Sequence, residues 1–434
     1  MPLTDVFKEI ISDFHARPLP SLTPRSLSYE IVPSKVMTVT GVRRSGKTSF
    51  LFQIMSSLME KGLSKENILF MNFEDERLGE IKAADLGILL EAYYELYPSK
   101  KNERIHIFLD EIQNVTGWEK FVRRVHDGEN AQIYLTGSSA KLLSLEIATA
   151  LRGRSINYEI FPFSFQEFLR HRSIDPEKRS GSATRASVKN AFQNYFVRGG
   201  FPEVLDVSID AWQKILQDYL QLILYKDLIE RHGLKNHSLV KYFLKHMLQN
   251  PACPLSIHKL YRDLRSQGFR VSKDALHQYG GYLEDAYTFF SVPIFSESLR
   301  VQQVHYKKWY CIDAGLAQAC IFGLMEKRGA LLENLVYLHL RQRDGYEIYY
   351  YLTKSRQEID FLVIRRGVSP AVIQVTDNVE HPATRQRETE ALFQAMEELK
   401  IPKALLITKD SREEMKRSGR TIKIVPFWEW SLED

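Results

Sequence analysis

Residues 36–49 carry the sequence VMTVTGVRRSGKTS, an apolar run followed by a loop that contains two glycines. The run from Val36 to Thr40 is largely apolar, as in a strand that is buried on both faces. The loop from Gly41 to Thr48 fits the pattern G-x-x-x-x-G-K-[ST], and a segment with helical spacing follows it. A loop of this kind between a strand and a helix holds phosphate groups through its backbone N–H groups. The stretch therefore predicts an α/β domain with a phosphate-binding loop.

The loop residues have separate predicted parts in holding a nucleotide and Mg²⁺. Gly41 and Gly46 allow the backbone to curl around phosphate oxygens. Lys47 reaches the β and γ phosphates, and the hydroxyl of Thr48 binds Mg²⁺. The two loop arginines either add phosphate or adenine contacts or point to solvent. The predicted nucleotide-binding residues are Gly41, Arg43, Arg44, Ser45, Gly46, Lys47, Thr48 and Ser49.

Two adjacent acids end another buried run, Ile105 to Leu109. We expect Asp110 to hold Mg²⁺ through water. Glu111 is expected to orient and deprotonate the attacking water, which makes it, with Lys47, a predicted catalytic residue. The alternative is a pair of acids that caps a strand at the surface. Because a further strand-like run separates this pair from the phosphate loop, the sequence favours the catalytic interpretation.

The segment LTGSSA at residues 135–140 and the segment LRGR at residues 151–154 hold further candidate catalytic residues. Thr136 or Ser138 is expected to sense the γ phosphate, or alternatively to cap the helix that follows. Arg154, and with it Arg152, is a candidate for neutralising charge in the transition state, in cis or across a subunit boundary. The alternative for these arginines is a solvated turn.

Downstream, the pattern changes from alternating strands and helices to a mostly helical region. The polar stretch from His171 to Ser187 predicts a loop or linker. Two helices, Ser256 to Ser266 and Ser272 to Asp285, then flank a turn, and strand-like runs follow at Phe289 to Ile294 and Gln303 to Ile312. This order of elements predicts a winged helix.

The predicted winged helix carries a small excess of basic residues. We expect Lys273, His277 and Gln278 on its second helix to contact phosphates and base edges of DNA. Lys307 and Lys308 in the wing would add phosphate contacts. The alternative is that the module packs on the nucleotide-binding domain or binds a protein partner.

Composition limits the class of protein. The chain has 434 residues, a net charge of +5 and three cysteines without a C-x-x-C pair. No apolar run approaches the ~18 residues of a membrane span, and the cysteine usage fits a reducing compartment. We therefore expect a cytoplasmic protein without membrane association. The predicted domains are residues 1–170, 188–315 and 325–434, the last being a second α/β unit.

The chain resembles prokaryotic AAA+-superfamily ATPases of the archaeal-ATPase type. The strings that carry the resemblance include GVRRSGKTS (41–49), NFED (72–75), LDEIQNVTGWE (109–119), YEIFPFSFQEF (158–168), VRGGFPEVL (197–205), YCIDAGL (310–316) and EIDFLV (358–363). The resemblance covers nearly the whole chain. It implies ATP rather than GTP, an AAA-type domain, a winged helix, and a C-terminal fold related to PD-(D/E)XK nucleases.

By this resemblance, the C-terminal domain holds a degenerate nuclease-like site. Glu333 and Asp360 match the helix glutamate and the strand aspartate of such a site. Gln374 stands where the second carboxylate belongs, and Thr376 stands where the lysine belongs. An amide is a weak Mg²⁺ ligand and Thr supplies no cation, so we do not expect nuclease activity. Lys354 or Arg356 is the alternative source of a cation.

Three functional hypotheses follow. The first is an ATP-hydrolysing protein that couples its nucleotide state to DNA binding or remodelling. The second is a regulatory switch that binds ATP as a latch and recruits a protein partner. The third is an ATP-gated nuclease, against which Gln374 and Thr376 argue. We favour the first, with ATP and Mg²⁺ as ligands.

Overall fold

A computed structural model describes residues 2–137, 153–176 and 181–433. The chain divides into two compact units, Met1–Phe161 and Pro162–Asp434. The predicted nucleotide-binding domain, residues 1–170, therefore extends past the end of the first unit. The two predicted downstream domains lie together in the second unit, and their division from each other stays a prediction.

The first unit is built on a single parallel sheet. Its strands are β1 (Val36–Thr40), β2 (Ile68–Asn72), β3 (Ile105–Asp110), β4 (Ala131–Gly137) and β5 (Ser155–Glu159). The strand order is β2-β3-β4-β1-β5, and every neighbouring pair is parallel. Both β1 and β3 are buried along their whole length, as expected of strands covered on both faces. The predicted α/β architecture with a parallel sheet is confirmed.

Helices cover both faces of this sheet. They are α1 (Leu3–Ala16), α2 (Lys47–Glu60), α3 (Leu86–Leu96) and α4 (Trp118–Gly128). On one face, α1, α3 and α4 form an apolar core with the central strands. On the other face, α2 packs against alternate side chains of the same strands. In α4 the buried residues recur at helical spacing, at Trp118, Phe121, Val122 and Val125, so one stripe faces the sheet.

The second unit begins with helices. These are α5 (Phe165–His171), α6 (Ser182–Arg198), α7 (Ile209–Leu222), its π-helical continuation Ile223–Glu230, and α8 (His237–Gln249). Helix α6 begins inside the stretch that we predicted as a loop or linker, so that prediction is wrong for residues 182–187. Burial of Val188, Phe192 and Tyr195 anchors this helix, and the alanines upstream are strong helix formers that extend it.

A small antiparallel sheet follows with two helices beside it. The elements are β6 (Cys253–Leu255), α9 (Ile257–Ser266), α10 (Lys273–Asp285), β7 (Phe289–Val292), α11 (Leu299–Val304) and β8 (Lys307–Cys311). The strand order is β6-β8-β7. The hydroxyl of Ser272 accepts a hydrogen bond from the N–H of Ala275 and so caps α10. The strand predicted from Gln303 begins only at Lys307, because Ser298 caps the short helix α11 before it.

The C-terminal part holds a six-stranded mixed sheet. Its elements are α12 (Ala314–Cys320), α13 (Arg328–Arg341), β9 (Tyr346–Leu352), β10 (Glu358–Arg365), β11 (Val368–Val375), α14 (Pro382–Glu398), β12 (Lys403–Thr408), β13 (Glu413–Arg417), β14 (Arg420–Pro426) and α15 (Phe427–Trp430). The strand order is β13-β14-β12-β11-β10-β9. The connection between β7 and β8 reaches this sheet, since the N–H of Phe295 donates to the carbonyl of Tyr350 at 2.7 Å. The segment that follows β7 is therefore hydrogen-bonded to β9 of the six-stranded sheet.

The helices and the cysteines concern two expectations drawn from composition, those on membrane association and on a reducing compartment. No helix in the described ranges combines the length and the apolar character that a bilayer crossing requires. Cys253, Cys311 and Cys320 are free thiols.

Candidate nucleotide site

The phosphate loop leaves the carboxyl end of β1 and leads directly into α2. A Cβ atom at Gly41 would lie 2.1 Å from the carbonyl oxygen of Ile160, so no larger residue fits there. Gly46 precedes the first residue of α2 and has a φ of 96°, and Arg44 also has a positive φ, 64°. These left-handed residues curl the backbone toward the amino terminus of the helix, where anions bind.

Arg25 supports the loop from outside it. Its Nη1 donates to the carbonyl of Ser45 at 2.8 Å and its Nη2 donates to the carbonyl of Phe161 at 2.5 Å. Its backbone N–H donates to Oε1 of Gln53 on α2. The guanidinium therefore ties the loop to the end of the first unit. Sequence reasoning missed Arg25, which lies in an extended segment without periodicity or motif.

Lys47 is buried and loosely held. Its side chain is 4% exposed, and its Nζ lies 3.4 Å from Oε1 of Glu111. The same ammonium donates to the carbonyls of Gly41 and Val42, each at 3.3 Å. All three distances are long for N–H···O bonds, so a better acceptor such as a phosphate oxygen can replace them.

Asp110 lies at the carboxyl end of β3 and contacts the loop. The hydroxyl of Thr48 donates to Oδ2 of Asp110 at 2.8 Å. The hydroxyl of Thr136 donates to Oδ1 at 2.5 Å. Burial raises the pKa of Asp110 to about 6, although these two hydrogen bonds oppose the rise. A nearby cation would return the carboxyl to its ionised form.

Glu111 directly follows β3 and has a left-handed backbone, with a φ of 52°. Its Oε2 accepts a hydrogen bond from Nε2 of Gln113 at 2.5 Å. Burial opposes ionisation, but Lys47 and Gln113 outweigh it and hold the pKa of Glu111 below its usual value. The carboxylate is therefore charged and oriented. Sequence reasoning did not predict Gln113 as a site residue, although it lies in the quoted segment LDEIQNVTGWE (109–119).

The predicted sensor and arginine residues are placed differently from the acid pair. The hydroxyl of Thr136 accepts a hydrogen bond from the N–H of Glu111 at 2.8 Å, in addition to its bond with Asp110. Thr136 thus holds the acid pair, and its part in sensing phosphate stays a prediction. Ser138 lies outside the described residues, as does Arg152.

Arg154 precedes β5 at the amino end of the sheet. The register pairs Val36, the first residue of β1, with Ser155, whereas the phosphate loop follows the last residue of β1. Five residues at ~3.3 Å each separate these two edges of the sheet. The guanidinium instead donates to Oδ2 of Asp127 at 2.8 Å. Action of Arg154 in cis is therefore excluded, and only the action across a subunit boundary stays a prediction.

The remaining predicted loop residues lie around Lys47. Arg43 is partly buried and lies 3.7 Å from Oε1 of Glu74, whereas Arg44 is exposed. Ser49 lies in the first turn of α2. The hydroxyl of Ser45 is buried and has no hydrogen-bond partner among residues 2–137, 153–176 and 181–433. A buried hydroxyl of this kind is available to a ligand.

The donor set fits a magnesium nucleotide. The hydroxyl of Thr48 and the carboxylate of Asp110 are hard oxygen ligands of the kind that Mg²⁺ binds through few protein contacts. The ammonium of Lys47, the hydroxyl of Ser45 and the loop N–H groups are donors suited to phosphate oxygens. Glu111 adds a charged carboxylate next to them.

A second cluster of charged residues lies in the second unit, where the sequence predicted a degenerate nuclease-like site. Nζ of Lys308 lies 2.5 Å from Oε1 of Glu333, 2.9 Å from Oε1 of Glu358 and 3.1 Å from Oδ1 of Asp360. Lys308 is 1% exposed, so its predicted contact with DNA phosphates is wrong. It is buried because β8 faces α13 and β10, which carry these acids.

The other predicted residues of that cluster take structural hydrogen bonds. Oε1 of Gln374 accepts from the N–H of Asp360, and its Nε2 donates to Glu388. Thr376 is buried, and its N–H donates to the carbonyl of Ile407. The alternative cations, Lys354 and Arg356, are exposed and are not the ones that contact Asp360.

The predicted DNA-binding residues other than Lys308 are on the surface. Lys273, His277 and Gln278 on α10 are exposed, as is Lys307 at the start of β8. Their side chains are therefore accessible to a large polyanion.

Comparison with known families and proteins adds three matches along the chain. Residues 33–169 match the family described as an AAA domain. Residues 189–327 match a domain of unknown function (DUF8612), and residues 328–430 match another (DUF4143). The AAA domain predicted by resemblance is confirmed, whereas the matches downstream carry no functional description.

Two solved structures share limited similarity with the chain. The ORC1 protein of Aeropyrum pernix, determined in complex with DNA, has 14% identity and a TM-score of 0.28, and the alignment covers 76% of this chain and 91% of that one. Cdc6p from Pyrobaculum aerophilum has 10% identity and a TM-score of 0.28, with 77% and 93% covered. Similarities this low carry no argument about fold or function.

Two relatives align over almost the whole chain. The uncharacterized protein MJ1544 of Methanocaldococcus jannaschii is 34% identical, and the alignment covers 98% of this chain and 95% of the relative. An uncharacterized protein of Haemophilus influenzae is 30% identical, with 92% and 94% covered. The chain therefore belongs to the same family as these two proteins and carries an AAA domain at residues 33–169.

Proposed function

We propose that this protein binds Mg-ATP in the first unit, hydrolyses it, and couples its nucleotide state to DNA binding. The observation that carries the proposal is the hydrogen bond from Thr48 to Asp110, which joins the phosphate loop to the acid pair. It brings a phosphate-binding lysine, a magnesium ligand pair and a charged carboxylate together at one edge of a parallel sheet. Phosphoryl transfer to water requires these groups.

Each group has a defined part in the reaction. The loop N–H groups and Lys47 hold the β and γ phosphates, and Thr48 and Asp110 hold the metal ion. Mg²⁺, when bound, neutralises charge on the phosphate oxygens. Glu111 accepts a proton from the attacking water at a carboxylate oxygen. Gln113 and Thr136 keep Asp110 and Glu111 in position through the hydrogen bonds described above.

The DNA-binding part of the proposal rests on the second unit. Helices α9 and α10 with the three-stranded sheet have the element order of a winged helix, and α10 exposes Lys273. Lys307 adds a second exposed cation. Phosphate contacts from such residues give binding that weakens with salt. The free thiols and the membrane finding are compatible with the cytoplasm, where we place the protein.

The catalytic proposal is tested with Glu111→Gln in the full chain. We expect steady-state ATP hydrolysis to fall at least 100-fold, the usual size of a general-base effect, while ATP binding persists. Glu91→Gln is the matched control, because Glu91 is exposed on α3. Hydrolysis by Glu111→Gln at the parent rate would remove Glu111 from the mechanism.

The coupling to DNA is tested in the same assay with single-stranded and duplex DNA at two salt concentrations. We expect DNA to stimulate hydrolysis, higher salt to weaken the effect, and the double variant Lys273→Ala, Lys307→Ala to reduce it. Hydrolysis indifferent to DNA, with no DNA binding at low salt, contradicts this part. That outcome favours the switch that recruits a protein partner.

A further inference from the structure

The acidic cluster of the second unit is centred on one ammonium group. Lys308 comes from β8, Glu333 from α13, and Glu358 and Asp360 from β10, so three separate elements meet at a single nitrogen atom. The three oxygen atoms lie between 2.5 and 3.1 Å from that nitrogen. Nζ donates hydrogen bonds to Oε1 of Glu358 and Oδ1 of Asp360, and it forms an ion pair with Oε1 of Glu333. The ammonium therefore has three carboxylate partners inside the protein.

Two of the carboxylates also accept a hydrogen bond from a group other than Lys308. The hydroxyl of Tyr310 donates to Oε1 of Glu333 at 2.7 Å. The N–H of Val375 donates to Oδ2 of Asp360 at 2.9 Å. No group of three His, Cys, Asp or Glu side chains in the described part of the chain is arranged to hold a metal ion. The oxygens that would surround such an ion converge on Nζ of Lys308 instead.

We propose that Lys308 is the resident cation of this three-carboxylate site, that it takes the place of a divalent metal ion there, and that it fastens β8 to the C-terminal sheet. Carboxylates brought this close repel one another unless a cation lies between them. A covalently attached ammonium supplies that cation regardless of the metal concentration. The site is then structural and needs no metal. The inference does not depend on ATP hydrolysis in the first unit.

The competing interpretation is a catalytic lysine of an active nuclease. Such a lysine must reach a water molecule or a phosphate group, and the side chain of Lys308 is 1% exposed. Its ammonium already contacts three carboxylates. Burial and these contacts therefore favour the structural role.

The test uses the full chain with Asp110→Asn as background, which removes the proposed metal ligand of the first unit. Lys308→Ala opens space among three acids. We expect its Tm without metal to fall, on the order of 10 °C, because buried charges lose their partner. Mn²⁺ should then restore part of the loss and bind at one saturable site. Adding Asp360→Asn to Lys308→Ala should abolish this Mn²⁺ effect.

A second measurement tests whether Lys308 takes the place of a metal ion, even if Lys308→Ala does not fold. In the same background with Lys308 intact, Mn²⁺ binding should be equal with and without Asp360→Asn, because Lys308 already occupies the site. A Mn²⁺ site that depends on Asp360 while Lys308 is present would overturn the proposal. Mn²⁺-dependent DNA cleavage by the Lys308-intact chain that disappears with Asp360→Asn would also overturn it, in favour of the nuclease.

Discussion

Lys47 and Lys308 are both buried lysines beside carboxylates, yet their surroundings differ. Lys47 lies 3.4 Å from the single carboxylate of Glu111 and 3.3 Å from two loop carbonyls. Lys308 has three carboxylates within 3.1 Å. Glu111 directly follows β3 of the parallel sheet, whereas Glu358 and Asp360 lie on β10 of the six-stranded sheet. The number and the distance of the acceptors, rather than burial, therefore distinguish the two lysines.

The difference indicates which lysine serves a ligand. Moving Lys47 to a phosphate exchanges long contacts for short, charge-assisted ones, so ligand binding is favoured. Moving Lys308 would leave three buried carboxylates without a cation, which is strongly unfavourable. A glycine-bounded loop surrounds the first lysine with N–H donors, whereas strands and a helix enclose the second. The residues around Lys47 are therefore suited to binding an anion, whereas the carboxylates around Lys308 already have their cation.

The largest expected effect is that substitutions at the two lysines impair different properties, ATP hydrolysis for Lys47 and thermal stability for Lys308. Lys47→Met should reduce ATP hydrolysis at least 100-fold, or about 2.7 kcal/mol, because a phosphate contact made in the transition state is lost. Lys308→Met should leave hydrolysis per folded molecule unchanged and lower the Tm instead. Steady-state hydrolysis and thermal unfolding, measured on both variants, check this. Lys61→Met, at an exposed lysine after the same helix α2, is the control.

Two outcomes would contradict the separate roles of Lys47 and Lys308. Hydrolysis that falls with Lys308→Met as much as with Lys47→Met would mean that the second cluster takes part in the reaction. An unchanged Tm for Lys308→Met would mean that its three carboxylates do not need the ammonium.

The residues that sequence reasoning named for the candidate nucleotide site are contiguous in the chain. The phosphate loop occupies eight consecutive positions, Asp110 is the last residue of β3, and Glu111 directly follows it. Arg25 was missed because its contacts with Ser45 and Phe161 join segments far apart in the chain. No local pattern signals such contacts.

The same reason explains the errors in the second unit. Lys308 looks like a wing residue in the sequence, since only the folded chain brings β8 to α13 and β10. The segment at residues 182–187 has the composition of a linker, but packing of the helix after it extends α6 through it. The strand β13 was not predicted either, because its mostly exposed sequence EEMKR has no apolar run. Strands with buried apolar runs were predicted well.

A smaller effect concerns acid, because the strand that carries Asp110 also carries His106. Burial, with Arg104 nearby, lowers the pKa of His106 to about 4. In the unfolded chain the His106 imidazole binds a proton near pH 6.5, whereas in the folded chain it stays neutral at that pH. Acid therefore favours the unfolded state, and the free energy of unfolding falls as the pH falls. Between pH 7 and pH 5 the first unit should lose about 2 kcal/mol through His106. In the other cluster burial raises the pKa of Asp360, so acid does not destabilise the fold through that group.

Denaturant unfolding at pH 7 and pH 5, for the parent and for His106→Asn, measures this difference. Asparagine does not titrate, so the variant should have a smaller loss of stability on acidification. Equal losses in the parent and in His106→Asn would mean that His106 is not the source of the acid sensitivity.

The smallest expected effect compares one hydroxyl group in each cluster. The hydroxyl of Thr136 joins Oδ1 of Asp110 to the N–H of Glu111, and that of Tyr310 donates to Glu333. Thr136→Val and Tyr310→Phe each remove one buried hydroxyl and should each lower the free energy of unfolding by about 1 kcal/mol. Only Thr136→Val should also lower ATP hydrolysis, because the acid pair that it positions takes part in the reaction. If Tyr310→Phe lowered hydrolysis equally, the two clusters would not be separate in function. If neither variant changed hydrolysis, the position of the acid pair would be fixed by its strand and by Thr48, and the hydroxyl of Thr136 would serve stability alone.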